Sequence, residues 1–403
     1  MKLVLFVVLL LLCSAAAPGT GAPEGRSLLL ESRAAKLRIE LAGGVLSSFQ
    51  LSGDTVNPLQ GMGHFLCLDR WGPPSAAEEK NGMPFHGEAS KVEWRVTHPP
   101  ERRNGGIEAE MTADLPLAGL AVRRKIRMPD AAAQVLVQEE VTNRNRLGRI
   151  FNMVQHPTIG APFLDPQTTV DASARRGLMQ SSPLPNPERP TVRWPSALHA
   201  GKRVDLRHLT NDPDPNVVSF EVPGALGWTT ACAPAQGRIL GYVWKVADYP
   251  WFSAWRHVEN GKPALRGLEF GTTGLHQPFP VLVSKGRIFD LPLYTYLDAG
   301  ESVTRSYTMF LLRTPERFEG AQSVTYRSGQ LVIQERSGHR RLSLPAEDLP
   351  PKGYQRRQSP LPSHSSAQGN RPAACRTNGE AAASGTYPPK GEPSSIVRRN
   401  YQI

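Results

Sequence analysis

Cysteine is scarce, with four in 403 residues. Cys13 ends an N-terminal apolar run and Cys375 sits in a C-terminal stretch with few apolar neighbours. That leaves Cys67 and Cys232 for a folded core, as a pair in an oxidising compartment or as two buried thiols. No two cysteines have metal-ligand spacing, and the ten histidines form no HxxxH or HxH cluster, so no preformed zinc site and no required metal are expected. Phosphate-cradling glycine loops, internal repeats and amphipathic helices of ordinary length are missing too, which argues against nucleotide-binding α/β folds and solenoids. The net charge of +11 does not indicate a nucleic-acid binder: four of those charges fall in residues 345–403, which hold eight Lys/Arg against four Asp/Glu, and one is Lys2, leaving a mild +6. The basic residues lack aromatic interleaving, so they are expected to be solvated faces and nucleic acid is not an expected partner.

The longest apolar run, residues 3–12, is too short to span a bilayer as a helix. Behind Met1 and Lys2 and ahead of small residues it has the build of a secretory signal covering 1–22, cleaved near Ala17 or Ala22. The expected location is therefore secreted or periplasmic, with lipid attachment at Cys13 as a minor alternative and no transmembrane span. Beyond about residue 344 the composition turns to Pro, Ser, Gly, Ala and charge, with nine prolines in 345–403, and such a stretch buries too little apolar surface to offset ordering entropy. Residues 23–344 are the expected folded domain and 345–403 an expected disordered tail.

Within that domain the patterning is of period two. Residues 35–41 alternate apolar and polar, Gly43 and Gly44 turn the chain, and 45–51 return. Further strand-like runs lie at 65–71, 92–96, 107–111, 121–128, 134–141, 217–222, 238–246, 265–271, 280–284, 302–312 and 323–335, and residues 165–215 form a long irregular excursion of the kind that wraps a site edge. Many short strands without helical crossovers predict an all-β fold, a large antiparallel β-sandwich.

Three polar motifs stand out against this background. The run 141–164 is strand-like up to His156, after which Pro157, Gly160 and Pro162 bar a helix; residues 84–88 carry His86 before Gly87; residues 267–271 carry Glu269. Two imidazoles and a carboxylate suit acid-base chemistry on a neutral, hydroxyl-rich substrate, since a histidine titrates near neutral pH and a carboxylate takes the complementary proton. Tyr242, Trp244, Tyr249, Trp251 and Trp255 supply flat faces that pack on sugar C–H surfaces or, equally, fill a core. A structural alternative for Glu269 is a cross-sheet pair with Arg256 or Arg266.

In their order and spacing, the Gly43–Gly44 turn, Asn57 to Leu59, His86–Gly87, Asn143 with His156 and the late Leu268–Glu269 resemble the galactose mutarotase (aldose 1-epimerase) superfamily, hexose-6-phosphate epimerase relatives included, over residues 37–314. The resemblance implies a supersandwich with sugar in an open groove and an aldose 1-epimerase-like isomerase that opens and recloses the sugar ring without metal or cofactor. It implies His156 as the acid on the ring oxygen, Glu269 as the base on the anomeric hydroxyl and His86 as the second, sugar-binding histidine. It matches Arg70 to a sugar-binding arginine and Asp248 to the substrate-binding aspartate, with Trp244, Trp251 and Trp255 as flat contacts. The expected partner is a monosaccharide or glycan-derived substrate, taken up by a monomer. A secreted, non-catalytic carbohydrate-binding protein is the alternative on the same fold, and a polysaccharide lyase-like enzyme a third reading that would want a tyrosine or added basic residue near His156.

Overall fold

The computed structural model describes residues 27–211, 214–347, 349 and the strand Gly353–Gln355; the expected signal segment and residues 356–403 lie outside the described residues. The described residues all fall within the first compact unit of the chain, which ends at Arg357. This unit is almost wholly β, built on two large sheets in which every strand pair is antiparallel.

Across the larger sheet the strands run Ser27–Glu31, Ala35–Glu40, Val45–Leu51, His64–Asp69, Arg149–Gly160, Lys262–Gly271, Trp251–Glu259, Val217–Glu221 and Arg176–Met179, followed by three short strands. The smaller sheet runs Thr169–Ala172, Leu226–Ala233, Arg238–Lys245, Ser302–Arg313, Gln134–Asn143, Leu120–Pro129, Gly106–Leu115 and Arg95–Arg103. Leu37, Ile39, Met153, Leu268 and Phe270 from the first sheet and Val122, Val135, Val137 and Leu311 from the second share one buried cluster. This is the aligned face-to-face packing that alternating apolar residues dictate, since successive side chains on a strand leave by opposite faces.

The larger sheet departs from simple alternation at its centre. Arg149–Gly160 is buried along nearly its whole length, because its outer face is covered as well. Phe151, Met153 and Ile159 enter the sandwich core, whereas Val154 joins Phe65, Cys67 and Trp71 in a separate outer cluster. A further outer cluster joins Trp251 and Leu178 to Leu275, Phe279, Leu282, Ile288 and Leu293. Trp71 and residues between Leu275 and Leu293 thus form a partial third layer over the sheet.

Several details differ from the sequence reading. The expected strand at 280–284 lies inside the helix Phe279–Lys285, for which Pro280 in the first turn and Gly286 after the last turn are favourable boundaries. A second short helix, Ala76–Lys80, is set by a capping box between Ser75 and Glu78. The excursion 165–215 contains five short strands, and 323–335 is a hairpin that joins Arg341–Pro345 in a three-stranded sheet. That sheet places Val324, Leu331, Ile333 and Leu344 against Trp228, Ile239 and Phe310 on the outside of the smaller sheet. Order also runs past the expected boundary at 344: Glu347 pairs with Arg127, Leu349 is buried, and Gly353–Gln355 pairs with Ser302–Thr304. Cys67 and Cys232 are both buried free thiols. Among the described residues no helix is long and apolar enough to cross a membrane.

Candidate active site

The outer face of the larger sheet carries a cross-strand row. Register places Ser219 opposite Ser253, Ser253 opposite Glu269, and His156 opposite Phe65, on adjacent strands. Strands with period-two geometry put all of these on the face away from Leu268 and Phe270. Arg256 and Arg266, whose positions alternate with that row, leave by the opposite face, so the alternative of a Glu269–arginine pair does not arise. The neighbour of Glu269 is His156, with Nε2 3.5 Å from Oε1. The other carboxyl oxygen accepts a 2.6 Å hydrogen bond from the Trp71 indole.

His156 is fixed on three sides. Its ring stacks on Phe65 with centroids 4.3 Å apart, Nδ1 lies 3.2 Å from the Thr158 hydroxyl, and Trp255 meets it edge-on at 5.7 Å. His86 arrives from the covering segment, its centroid 5.5 Å from that of His156. The backbone explains the His-Gly dipeptide. His86 has φ +66°, and Gly87 at φ +76° bridges Leu68 so closely that a Cβ there would stand 2.3 Å from the Leu68 carbonyl oxygen. The Gly72 amide donates to His86 Nδ1 at 3.1 Å, which leaves the proton of the neutral ring on Nε2. A third imidazole, His276, lies 5.4 Å from His86 and 4.7 Å from Trp71, and Phe85, 47% exposed, contacts both histidines.

Burial sets the electrostatics. Glu269 is 1% exposed, and desolvation raises its carboxyl to about 8 against the lowering effect of the Trp71 hydrogen bond. The same desolvation drops His156 to about 3 and His276 to about 4, and holds His86 well below an ordinary histidine, with the neighbouring imidazoles adding to the effect on His86. His86 and His276 are partly exposed, so solvent tempers their shifts relative to that of His156. Near neutral pH the pair therefore carries one proton, and it resides on Glu269. Among the described residues no group of three or more His, Cys, Asp or Glu is arranged to hold a metal ion.

The structure brings His156, Glu269, His86 and Trp255 together and separates the other expected contacts from them. Arg70 is buried and committed to Asp69 and Glu78, its guanidinium 5.1 Å above the Phe279 ring. Trp244 belongs to the core, stacked on Phe270 at 4.3 Å with its indole donating to the Tyr249 carbonyl. Trp251 is on the outer face but sealed beneath Leu275, Phe279 and Leu282, and Asp248 is buried with its carbonyl accepting from Arg305. All three are buried: Trp244 belongs to the sandwich core, Trp251 to the separate outer cluster, and Asp248 is a buried carboxylate. Trp71 and His276 were not singled out from sequence. Trp71 reads as the end of a strand and His276 as a loop residue before Gln277 and Pro278; the available signal was only their proximity in sequence to Arg70 and Glu269.

No protein-family model matches the chain, and no curated protein does. Solved structures do. The galactose mutarotase related enzyme from Lactobacillus acidophilus aligns over 72% of this chain and 99% of its own, at 13% identity and a TM-score of 0.52. A galactose mutarotase-like protein from Lactobacillus casei gives 71%, 100%, 14% and 0.51, and one from Clostridium acetobutylicum 71%, 95%, 10% and 0.50. At such identities the likeness establishes architecture alone, and the chain has the galactose mutarotase-like β-sandwich fold.

Proposed function

We propose that this chain is a carbohydrate-active protein that interconverts the anomers of a free aldose, with Glu269 and His156 as the proton-transfer pair and His86 as a hydrogen-bond donor to the sugar. The observation that carries the reading is the one-proton dyad: a raised carboxyl and a depressed imidazole 3.5 Å apart on one face of a sheet. Ring opening delivers a proton to the ring oxygen while another leaves the anomeric hydroxyl, and closure reverses both transfers. A pair that holds one proton begins and ends each half-reaction with one proton, on the opposite partner, so it needs no external acid or base. With His156 serving the ring oxygen and Glu269 the anomeric oxygen, a proton on Glu269 is the arrangement that closes the ring, and transfer of that proton to His156 readies the pair for opening. The likeness to galactose mutarotase-like structures supports the substrate class at the level of fold.

NMR exchange between α and β anomers across a panel of free aldoses tests this. The protein should accelerate exchange of at least one sugar, and Glu269→Gln should lower that acceleration by ~10²-fold or more. A second reading, a carbohydrate-binding protein without turnover, is favoured by the low exposure of the dyad, 1% for Glu269 and 5% for His156 beneath Trp71. It predicts sugar-dependent thermal stabilisation with no exchange.

A further inference from the structure

We infer that His276 is a substrate-contacting residue of this site, a third neutral imidazole that takes one sugar hydroxyl beside the one held by His86. The inference rests on the proposed carbohydrate reading and specifies which side chain outside the dyad binds the sugar. Three observations place the ring. It lies edge-on to Trp71, the residue that caps Glu269, with centroids 4.7 Å apart, and it is 5.3 Å from the half-exposed Phe85. Gly72 makes room for it: with φ +102°, that position would carry a Cβ 3.0 Å from the His276 Cδ2 and 3.1 Å from Cγ. The backbone beneath is tied down, since the His276 amide donates at 2.9 Å to the Gln180 side chain, which in turn donates to the Ser219 hydroxyl and the Gly274 carbonyl.

The chemistry follows from what each histidine has left to offer. His86 spends Nδ1 on the Gly72 amide and His156 spends Nδ1 on Thr158 and Nε2 on Glu269, whereas both ring nitrogens of His276 are without a hydrogen-bond partner among the described residues. Partial burial keeps the ring neutral, with one N–H donor and one bare nitrogen acceptor. A hydroxyl is likewise both donor and acceptor, so an alcohol of a sugar matches this ring better than a phosphate or carboxylate, which would need a charged or purely donating partner. Phe85 supplies an apolar face beside it for the C–H side of the same ring.

The test uses the full chain as wild type, His276→Phe, His276→Asn and Glu269→Gln, with D-glucose, D-galactose and D-mannose as probes. Occupancy is followed by intrinsic tryptophan fluorescence, turnover by anomer exchange, and folding by Tm. Both His276 variants should raise Kd and KM by about tenfold or more, the effect of losing a hydrogen-bond partner at a buried polar contact, with kcat within a few-fold and Tm unchanged. Glu269→Gln should show the opposite split, with exchange lost and Kd retained. If Glu269→Gln behaves so while Kd and KM stay put in both His276 variants, the inference is overturned and the functional reading stands. A fall in kcat alone for the His276 variants also overturns it. If the wild type neither binds nor exchanges any probe, the functional reading fails and takes this inference with it.

Discussion

At the scale of single residues, desolvation of one carboxyl decides the behaviour of the site. Glu269 at about 8 binds a proton more tightly when folded than the unfolded chain does at 4.5. Its contribution to stability is therefore complete below pH 4.5 and lost as pH rises through about 8. The buried imidazoles work in the other direction. His64 and His156, each near 3 when folded, favour the fold fully above 6.5 and lose that contribution as pH falls toward 3. Between pH 6.5 and 8 only the carboxyl of these groups titrates, so the free energy of unfolding should decline there by at most about 1.4 kcal/mol per pH unit, and Tm with it. Glu269→Gln should flatten that decline; an equal decline in both proteins would place the proton elsewhere. Trp71→Phe removes the indole that holds the carboxyl down, so it should move the alkaline limb of the exchange profile to higher pH, and an unshifted limb would show that the hydrogen bond does not tune Glu269. His156, His86 and Glu269 were legible in the sequence as polar residues in strand-like runs or beside a Gly-marked turn, although His156 lies within Arg149–Gly160 and not at the expected strand end, because Pro157 does not stop that strand. Trp71 and His276 were not, because a covering layer over a sheet face leaves no periodic signal.

At the scale of elements, local patterning foretold many strands of the sandwich, missed Ser27–Glu31, Leu226–Ala233 and Trp251–Glu259, and failed where context overrides it. Residues 280–284 are apolar enough for a strand, yet the prolines before and within the helix and Gly286 behind it make a helical turn the better local solution. Leu344 illustrates the opposite limit: composition changes just after it, but the chain stays anchored through Glu347–Arg127, Leu349 and the strand Gly353–Gln355. Two truncations separate these boundaries. Ending the chain after Arg357 should leave Tm unchanged, whereas ending it after Leu344 should lower Tm by several degrees, since it removes a strand pairing and a buried leucine. Equal Tm values for both would show that residues 345–357 add nothing to the fold.

At the scale of the whole molecule, the two sheets are coupled by a buried polar chain behind the site. Arg124 donates to Glu139 at 2.7 Å and to the Gly44 carbonyl, Gln155 donates to Glu139 at 2.6 Å, and His64 contacts Gln155 at 3.1 Å. Gln155 is the residue before His156, so this chain sets the strand that carries the imidazole. Glu139→Ala strands a buried guanidinium and should cost ~3–5 kcal/mol in urea unfolding; a loss below about 1 kcal/mol would mean that the network contributes little. Alternation puts Arg124 in phase with Val122 and Ile126, and Glu139 in phase with Val137 and Val141, on the inward face; the pairing itself was invisible in sequence, because it depends on which strands the two sheets bring together. We propose that one proton, shared by Glu269 and His156, is passed through a sugar. The most direct measurement records anomer exchange and Tm on the same samples of wild type and Glu269→Gln. Exchange should fall ~10²-fold or more per folded molecule in Glu269→Gln at an undiminished Tm near pH 7, whereas unchanged exchange, or no exchange by the wild type with any aldose, would contradict the proton-transfer role of this pair.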